Sequence, residues 1–362
     1  MNRDLKIPRV SLQYFDRDEG LLQDSEWLLV VKSQDQTVRR NRLLSKVKNG
    51  RYGRTESRPT AIGLLANVFL HDGQAQLNWK KEFPEPRHII RLCDDVYALT
   101  DVSGVNVIDK DGEVSNRIND PLYAFLHSID QNELKKDKIL VCSSGYDAII
   151  ETNIKTEERS FLWSAWENGF NPDENGNWLA LTDSYHEHLV SEGKKSLLIE
   201  PEKYGEQGIN TKFRSAHPNV AVYNPYKDNS TMIVSIGHGG TLYEVDLISH
   251  KTSLVFDELS EMPHGLMPYK GGWLVTNTTK GEVWSLSANF EAERILSLRE
   301  LPGKNPDLGS IEWIQNTKVT SDGLMLCLDA NRGLVAIDVV NKKYNVFHPD
   351  MEWCLQDGII LQ

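Results

Sequence analysis

The stretch Met232–Thr252, MIVSIGHGGTLYEVDLISHKT, is an apolar β-branched run, a glycine turn, a second apolar run carrying Glu244 and Asp246, and a polar tail. Read alone it is a β-hairpin. It decides the fold because the chain repeats it. The same order of strand, glycine-bearing turn, strand and acidic residue occurs in VYALTDVSGVNVIDKDGEV from Val96 and in ILVCSSGYDAIIETNIKTEE from Ile139. It occurs again in WLVTNTTKGEVWSLSANFE from Trp273 and LMLCLDANRGLVAIDVVNKKY from Leu324. The turn glycines are Gly104, Gly145, Gly240, Gly281 and Gly333, separated by 41, 95, 41 and 52 residues. A four-stranded unit of about 40–50 residues is the period of a propeller blade. The expectation is an all-β protein, one β-propeller domain over 1–362, with six blades and seven as the rival count.

The long gap holds an insertion over 171–211, polar and weakly alternating, which reads as a possible lid over one mouth or as a degenerate blade. The ends suggest closure. WCLQDGIILQ, from Trp353, is an orphan strand, while WLLVVKS, AIGLLANVFLH and AQLNWKKEF near the N-terminus lack a matching first strand. An unpaired edge exposes N–H and C=O groups, so the last strand is expected to complete the blade begun by the N-terminus.

Each repeat is preceded by another strand, with the starts RHIIRL, LHSIDQ, AHPNVAVY, PHGLMPY and IEWIQN. Four of these five are read as carrying a histidine at the same phase: His88, His127, His217 and His264; the fifth carries Glu312 there. The first strand of each blade lines the propeller axis, so these residues should converge on one mouth. Neutral imidazoles gathered there suit a transition metal. The expected site is a divalent ion, Fe(II) first, on the four histidines. Glu312 would support them, and His238, in the glycine turn, is placed to act beside them as an acid–base group. Three or four histidines leave positions open for water, O2 or a substrate oxygen. The function expected is a metal-dependent enzyme, oxidative if the metal is iron, acting on a small molecule. The alternatives are a non-catalytic binding scaffold, or a hydrolase or lyase. Two lesser patterns are His186 and His188 in SYHEHL, one strand face if extended, and Asn171, Asp173 and Asn175 in NPDENGNW, like the start of a calcium loop but without the closing glutamate.

The stretch GGTLYEVDLISHKTSLVFDELSEMPHGLMPYKGGWLVTNTTKGEVW, from Gly239, resembles blades of the gluconolactonase/regucalcin, strictosidine-synthase and NHL-type propellers, and the resemblance covers the chain from about Arg87 onward. The layout of His88, His127, His217 and His264, with Glu312 behind them, is similar to that of the carotenoid-cleaving oxygenases. That resemblance implies Fe(II) held by four histidines from separate blades.

The 362 residues carry a net charge of −12, which offers no general attraction to nucleic-acid phosphates. A basic run from Val38, VRRNRLLSKVKNGRYGR, reads as a solvated face, with an anionic partner as its alternative. The N-terminus MNRDLKIPRV has no apolar signal core and no run of about 18 apolar residues occurs, so a spanning helix is not expected. Cys93, Cys142, Cys327 and Cys354 are scattered singly, as free thiols of a reducing compartment would be, and a cytoplasmic location is expected.

Overall fold

The structure, a computed structural model, describes residues 7–48, 59–71, 74–173 and 175–361. Six antiparallel sheets of four principal strands follow one another around an axis. Blade 1 is built from Ser25–Ser33, Ile62–His71 and Gln74–Pro84, with Cys354–Ile360 as its inner strand. Blades 2 to 6 begin with the inner strands His88–Cys93, Leu126–Gln131, Pro218–Tyr223, His264–Tyr269 and Ile314–Val319. The count is six, and the C-terminal strand closes the ring: Ile360 pairs with Trp27 and Cys354 with Ser33.

The hydrophobic alternation of each blade is spent on its neighbours. One apolar cluster joins blade 1 to blade 6 through Trp27, Leu29, Leu328 and Phe347. Equivalent clusters join every other adjacent pair, as Trp163, Tyr223 and Val234 do for blades 3 and 4. The N-terminus adds two short staples that periodicity did not reveal. Arg9–Ser11 pairs parallel with the outer strand Ala292–Ser297 of blade 5, and Asp16–Arg17 pairs with Lys343–Phe347 of blade 6.

Neighbouring inner strands diverge at the axis and share no backbone ladder, so side chains bridge them. Asp357, on the closing strand, accepts from the Ile89 N–H at 2.9 Å, the Asn316 amide at 2.7 Å and the Lys318 ammonium at 2.9 Å. Burial opposes its charge, but Lys318 and His88 outweigh that and hold its pKa below the ordinary value.

Two connections are long. Residues 34–61 carry the helix Gln36–Lys48 where the other blades use turns such as 101–104. Residues 165–217 carry a parallel pair, Trp178–Ala180 with Ser196–Leu198, and the helix Asp183–Ser191. Leu179, Ile199 and Ile209 of this segment join the core between blades 2 and 3. Among the described residues, no helix is long and apolar enough to cross a membrane. The four cysteines are free; Cys93 is exposed and the other three are buried.

Deleting residues 354–362 removes the inner strand of blade 1 and all three bonds of Asp357. The cooperative urea transition is expected to disappear. Asp357→Ala, which keeps the strand but strands Lys318, is expected to cost about 3–5 kcal/mol in the same measurement.

Candidate functional site

The inner strands all start at one mouth, and the two long connections leave from that same end. There the chain makes a set of local irregularities. In blades 2 to 6 the first ladder pair of the inner strand is His88 with Thr100, Leu126 with Ser143, Pro218 with Ile236, His264 with Thr276 and Ile314 with Asp329. His88 and His264 therefore share a phase. His127 lies one residue later, in a bulge; His217 lies one residue earlier; Glu312 lies two residues earlier. The residues are near one another in height, but their side chains are aimed individually.

Three of the predicted histidines come together. The rings of His127 and His217 are 5.1 Å apart between centroids, and those of His127 and His264 are 6.0 Å apart. His238 packs its ring 5.2 Å from that of His217, beside the group as its turn position suggested. His88 does not join them. Its Nδ1 accepts from the Ile129 N–H at 3.3 Å and its Nε2 lies 3.5 Å from Asp357, because its strand starts without the bulge that turns His127 inward. Glu312 is buried in a cationic cage, accepting from Arg332 at 2.7 Å and from Lys304. His186 and His188 lie on a helix, where a spacing of two points to different faces. His186 bonds Ser196, and His188 faces Glu192. Asp173 spends an oxygen on the N–H groups of Asn175 and Asn177, which makes a turn rather than a calcium loop.

The residue that sequence reading missed is Arg87, one position before His88. It is fully buried, and its guanidinium donates to Nε2 of His127 at 3.0 Å and to Glu85 at 2.9 Å. It also lies 4.0 Å from the ring centre of Phe125, whose φ of 51° is left-handed; Arg214 is 4.5 Å from the same ring. His217 is left-handed too, with φ of 54°. Such non-glycine outliers persist only where surrounding bonds enforce them. Here the enforcer is Asp147, whose carboxylate accepts from the backbone N–H groups of Ser215, Ala216 and His217 and from the Trp166 indole. The glycine after His264 has a steric reason. Gly265 has φ of 55°, and a Cβ on it would meet Thr276 and Asn316 at 2.4 and 2.7 Å.

The bonds assign the tautomers. Ser144 donates its hydroxyl to the Pro218 carbonyl, so its oxygen accepts from Nδ1–H of His127 at 2.7 Å, and Nε2 of His127 is the acceptor for Arg87. Nδ1 of His264 donates to the Met262 carbonyl at 2.9 Å, which leaves Nε2 with a lone pair. Burial first, then the charges of Arg87 and Lys32, holds His127 well below the ordinary histidine range; burial also depresses His217, and puts His264 at about 3. All three are neutral imidazoles at pH 7. Buried polar atoms near this mouth without a hydrogen-bond partner among the described residues include Nδ1 of His217, Oδ1 of Asn219 and Oε1 of Gln356.

Two cavities meet here. One of about 250 Å³ runs down the axis from Arg87, His127, His264 and Gln356 to Asp130 and Val319. The other, of about 270 Å³, lies toward the helix Gln36–Lys48 and shares Gln315 and Gln356 with the first. Thr211, at the end of the long segment between blades 3 and 4, lines a smaller space with His127, His217, His264 and Arg87. Among the described residues no three histidine, cysteine or acidic side chains form a cluster able to hold a metal ion. The lone pair that His127 would offer is directed at a guanidinium.

No protein family matches the sequence, and no curated protein does. Solved structures share its fold. A chain from the crystal structure of a nidogen/laminin complex superposes with a TM-score of 0.54 at 12% identity, over 93% of this chain and 98% of that one. A protein of unknown function from Bacteroides caccae superposes with a TM-score of 0.53 at 12% identity, over 94% of this chain and all of that one. The likeness is one of fold, and fold leaves function open.

The neutral histidines give the protein an acid sensitivity. Unfolded histidines take up protons as pH falls through about 6.5, whereas the buried ones resist, so stability falls with pH below that point. For His264 the window runs from about pH 6.5 down to its folded value of about 3. His264→Gln is expected to flatten the slope of urea stability between pH 6 and 4.5 by up to about 1.4 kcal/mol per pH unit. Parallel slopes for variant and wild type would contradict the assignment.

Proposed function

We propose that the axial mouth binds a small organic anion, gripped by Arg87 and hydrogen-bonded by the neutral imidazoles, and that the protein is an enzyme moving a proton on that molecule. The observation that carries this reading is the buried guanidinium of Arg87 on Nε2 of His127, at a cavity beneath two long connections. A guanidinium is permanently charged and its fork suits carboxylate or phosphate oxygens. Glu85 answers part of that charge, while Lys32 and Arg42 line the same space. A bound anion would offset the field of Arg87 and Lys32 and so raise the basicity of Nε2 of His264. A base beside a held anion is what elimination or lactone opening needs. This is chemistry of the hydrolase and lyase kind that the gluconolactonase and strictosidine-synthase resemblance implies.

A divalent ion is the second reading. It is favoured by the fixed Nδ1–H of His127 and His264, since ligand histidines commonly donate their far nitrogen to an oxygen in this way. As they stand, His127, His217 and His264 do not form such a site; to hold an ion, without His88, they would have to draw together and Arg87 would have to leave Nε2 of His127. Iron there would supply the oxidative chemistry of the carotenoid-cleaving layout.

Calorimetric titration of untagged protein with simple carboxylates and phosphomonoesters tests the first reading. Arg87→Gln should weaken binding by about 10- to 100-fold, the range of a lost charged hydrogen bond, and Arg87→Lys should recover only part. Elemental analysis of the same protein separates the two. About one equivalent of metal, lost on truncating His127, His217 or His264, would overturn the anion reading in favour of the ion.

A further inference from the structure

The cavity toward the helix Gln36–Lys48 differs in character from the axial space it adjoins. Its wall includes Val38 and Leu43 from the helix, Pro59 and Ala61 from the chain returning to the blade, Trp313 from blade 6 and Cys354 from the closing strand. Gln315 and Gln356 stand where it meets the axial tunnel, Lys32, Ser33, Arg39, Arg42 and Glu85 also line it, and Lys32, Arg42 and Trp313 are common to it and the space around His127 and His264. A ligand can therefore reach from Arg87 to this apolar wall without leaving the protein.

The helix exists here for no reason of blade construction. In the other five blades the connection between the second and third strands is a short turn, as at 144–147 or 278–281. It is anchored over the mouth by Gln36, which donates to the carbonyls of Ala330 at 3.0 Å and Trp353 at 2.7 Å, and by Arg39, which donates to the Ala330 carbonyl at 2.9 Å and to Asn331 at 3.1 Å. Leu43 packs with Leu308, Ile311 and Trp313 in a small core of its own. These bonds fix a roof whose underside is apolar and whose edge is cationic.

We infer that this side cavity receives the apolar body of the substrate, so that the substrate class is amphipathic organic anions, an aryl or branched-alkyl group carrying a carboxylate or phosphate, rather than polyhydroxylated acids. The inference rests on the anion reading above and adds the second contact. The cavity, about 270 Å³, is large enough for a phenyl-sized group and bordered by Trp313, which offers an aromatic face. Gluconate-like ligands would set hydroxyls against Val38, Leu43, Pro59, Ala61 and Trp313, where they cannot replace an apolar contact.

The test is a titration series on the full chain: acetate, benzoate, phenylacetate, 4-phenylbutyrate, phenyl phosphate and gluconate. In the wild type each further buried methylene should tighten binding by about fourfold, and gluconate should bind no better than acetate. Phenyl phosphate against phenylacetate distinguishes the head group. Val38→Asn, an uncharged change at a half-exposed position on the helix, should reduce the gain from the apolar body; Leu43→Ser should do the same if it folds. A flat series in the wild type, with acetate still dependent on Arg87, would overturn this inference and leave the anion reading intact. Absence of binding by every anion, or binding indifferent to Arg87→Gln, would overturn both.

Discussion

Closure of the ring is the constraint on which the rest depends. Six sheets splayed around an axis cannot join their inner strands by backbone ladders, so the centre must be tied by side chains. The closing strand supplies the main tie in Asp357, which reaches blade 2 through Ile89 and blade 6 through Asn316 and Lys318. A charge at the axis is tolerable because each of its oxygens is engaged. The same crowding takes His88 out of service as a ligand, since it sits against that carboxylate.

The mouth where the inner strands begin is shaped by departures from regularity. A bulge turns His127 inward, left-handed residues set Phe125 and His217, and a glycine that nothing larger can replace follows His264. Asp147 holds three consecutive backbone N–H groups to keep His217 in place, and burial raises its pKa against those bonds. Strain, buried charge and both long connections thus gather on one face, as expected when a rigid scaffold carries its function in loops.

The fold was legible because its signal is a period. Turn glycines at blade spacing and an orphan C-terminal strand predicted six blades and their closure, and strands and pairing agree with them. The N-terminal staples were not legible, since three residues such as Arg9–Ser11 carry no alternation. At the site, the recurrence of histidine pointed to the mouth where the inner strands begin, and three of its residues meet there. It could not fix aim, because one bulge or one left-handed residue redirects a side chain while leaving the spacing in sequence unchanged. Arg87 was hidden beside the more conspicuous His88. Arg39 and Arg42 were visible as part of a basic run, but only the fold shows that this part of it bends over the mouth.

The closing strand also dictates an order of events. Ser25–Ser33 is made before blades 2 to 6 and its inner partner, Cys354–Ile360, only after them. The staples at Arg9–Ser11 and Asp16–Arg17 likewise wait for strands more than 280 residues downstream. During synthesis blades 2 to 5 can assemble as an open arc while the apolar strand of blade 1 has no inner neighbour. Unpaired strand edges of this kind stay exposed until the closing strand has been made. Chaperone demand should therefore be concentrated on the segment 25–84, and a stall shortly before residue 354 would leave the ring open.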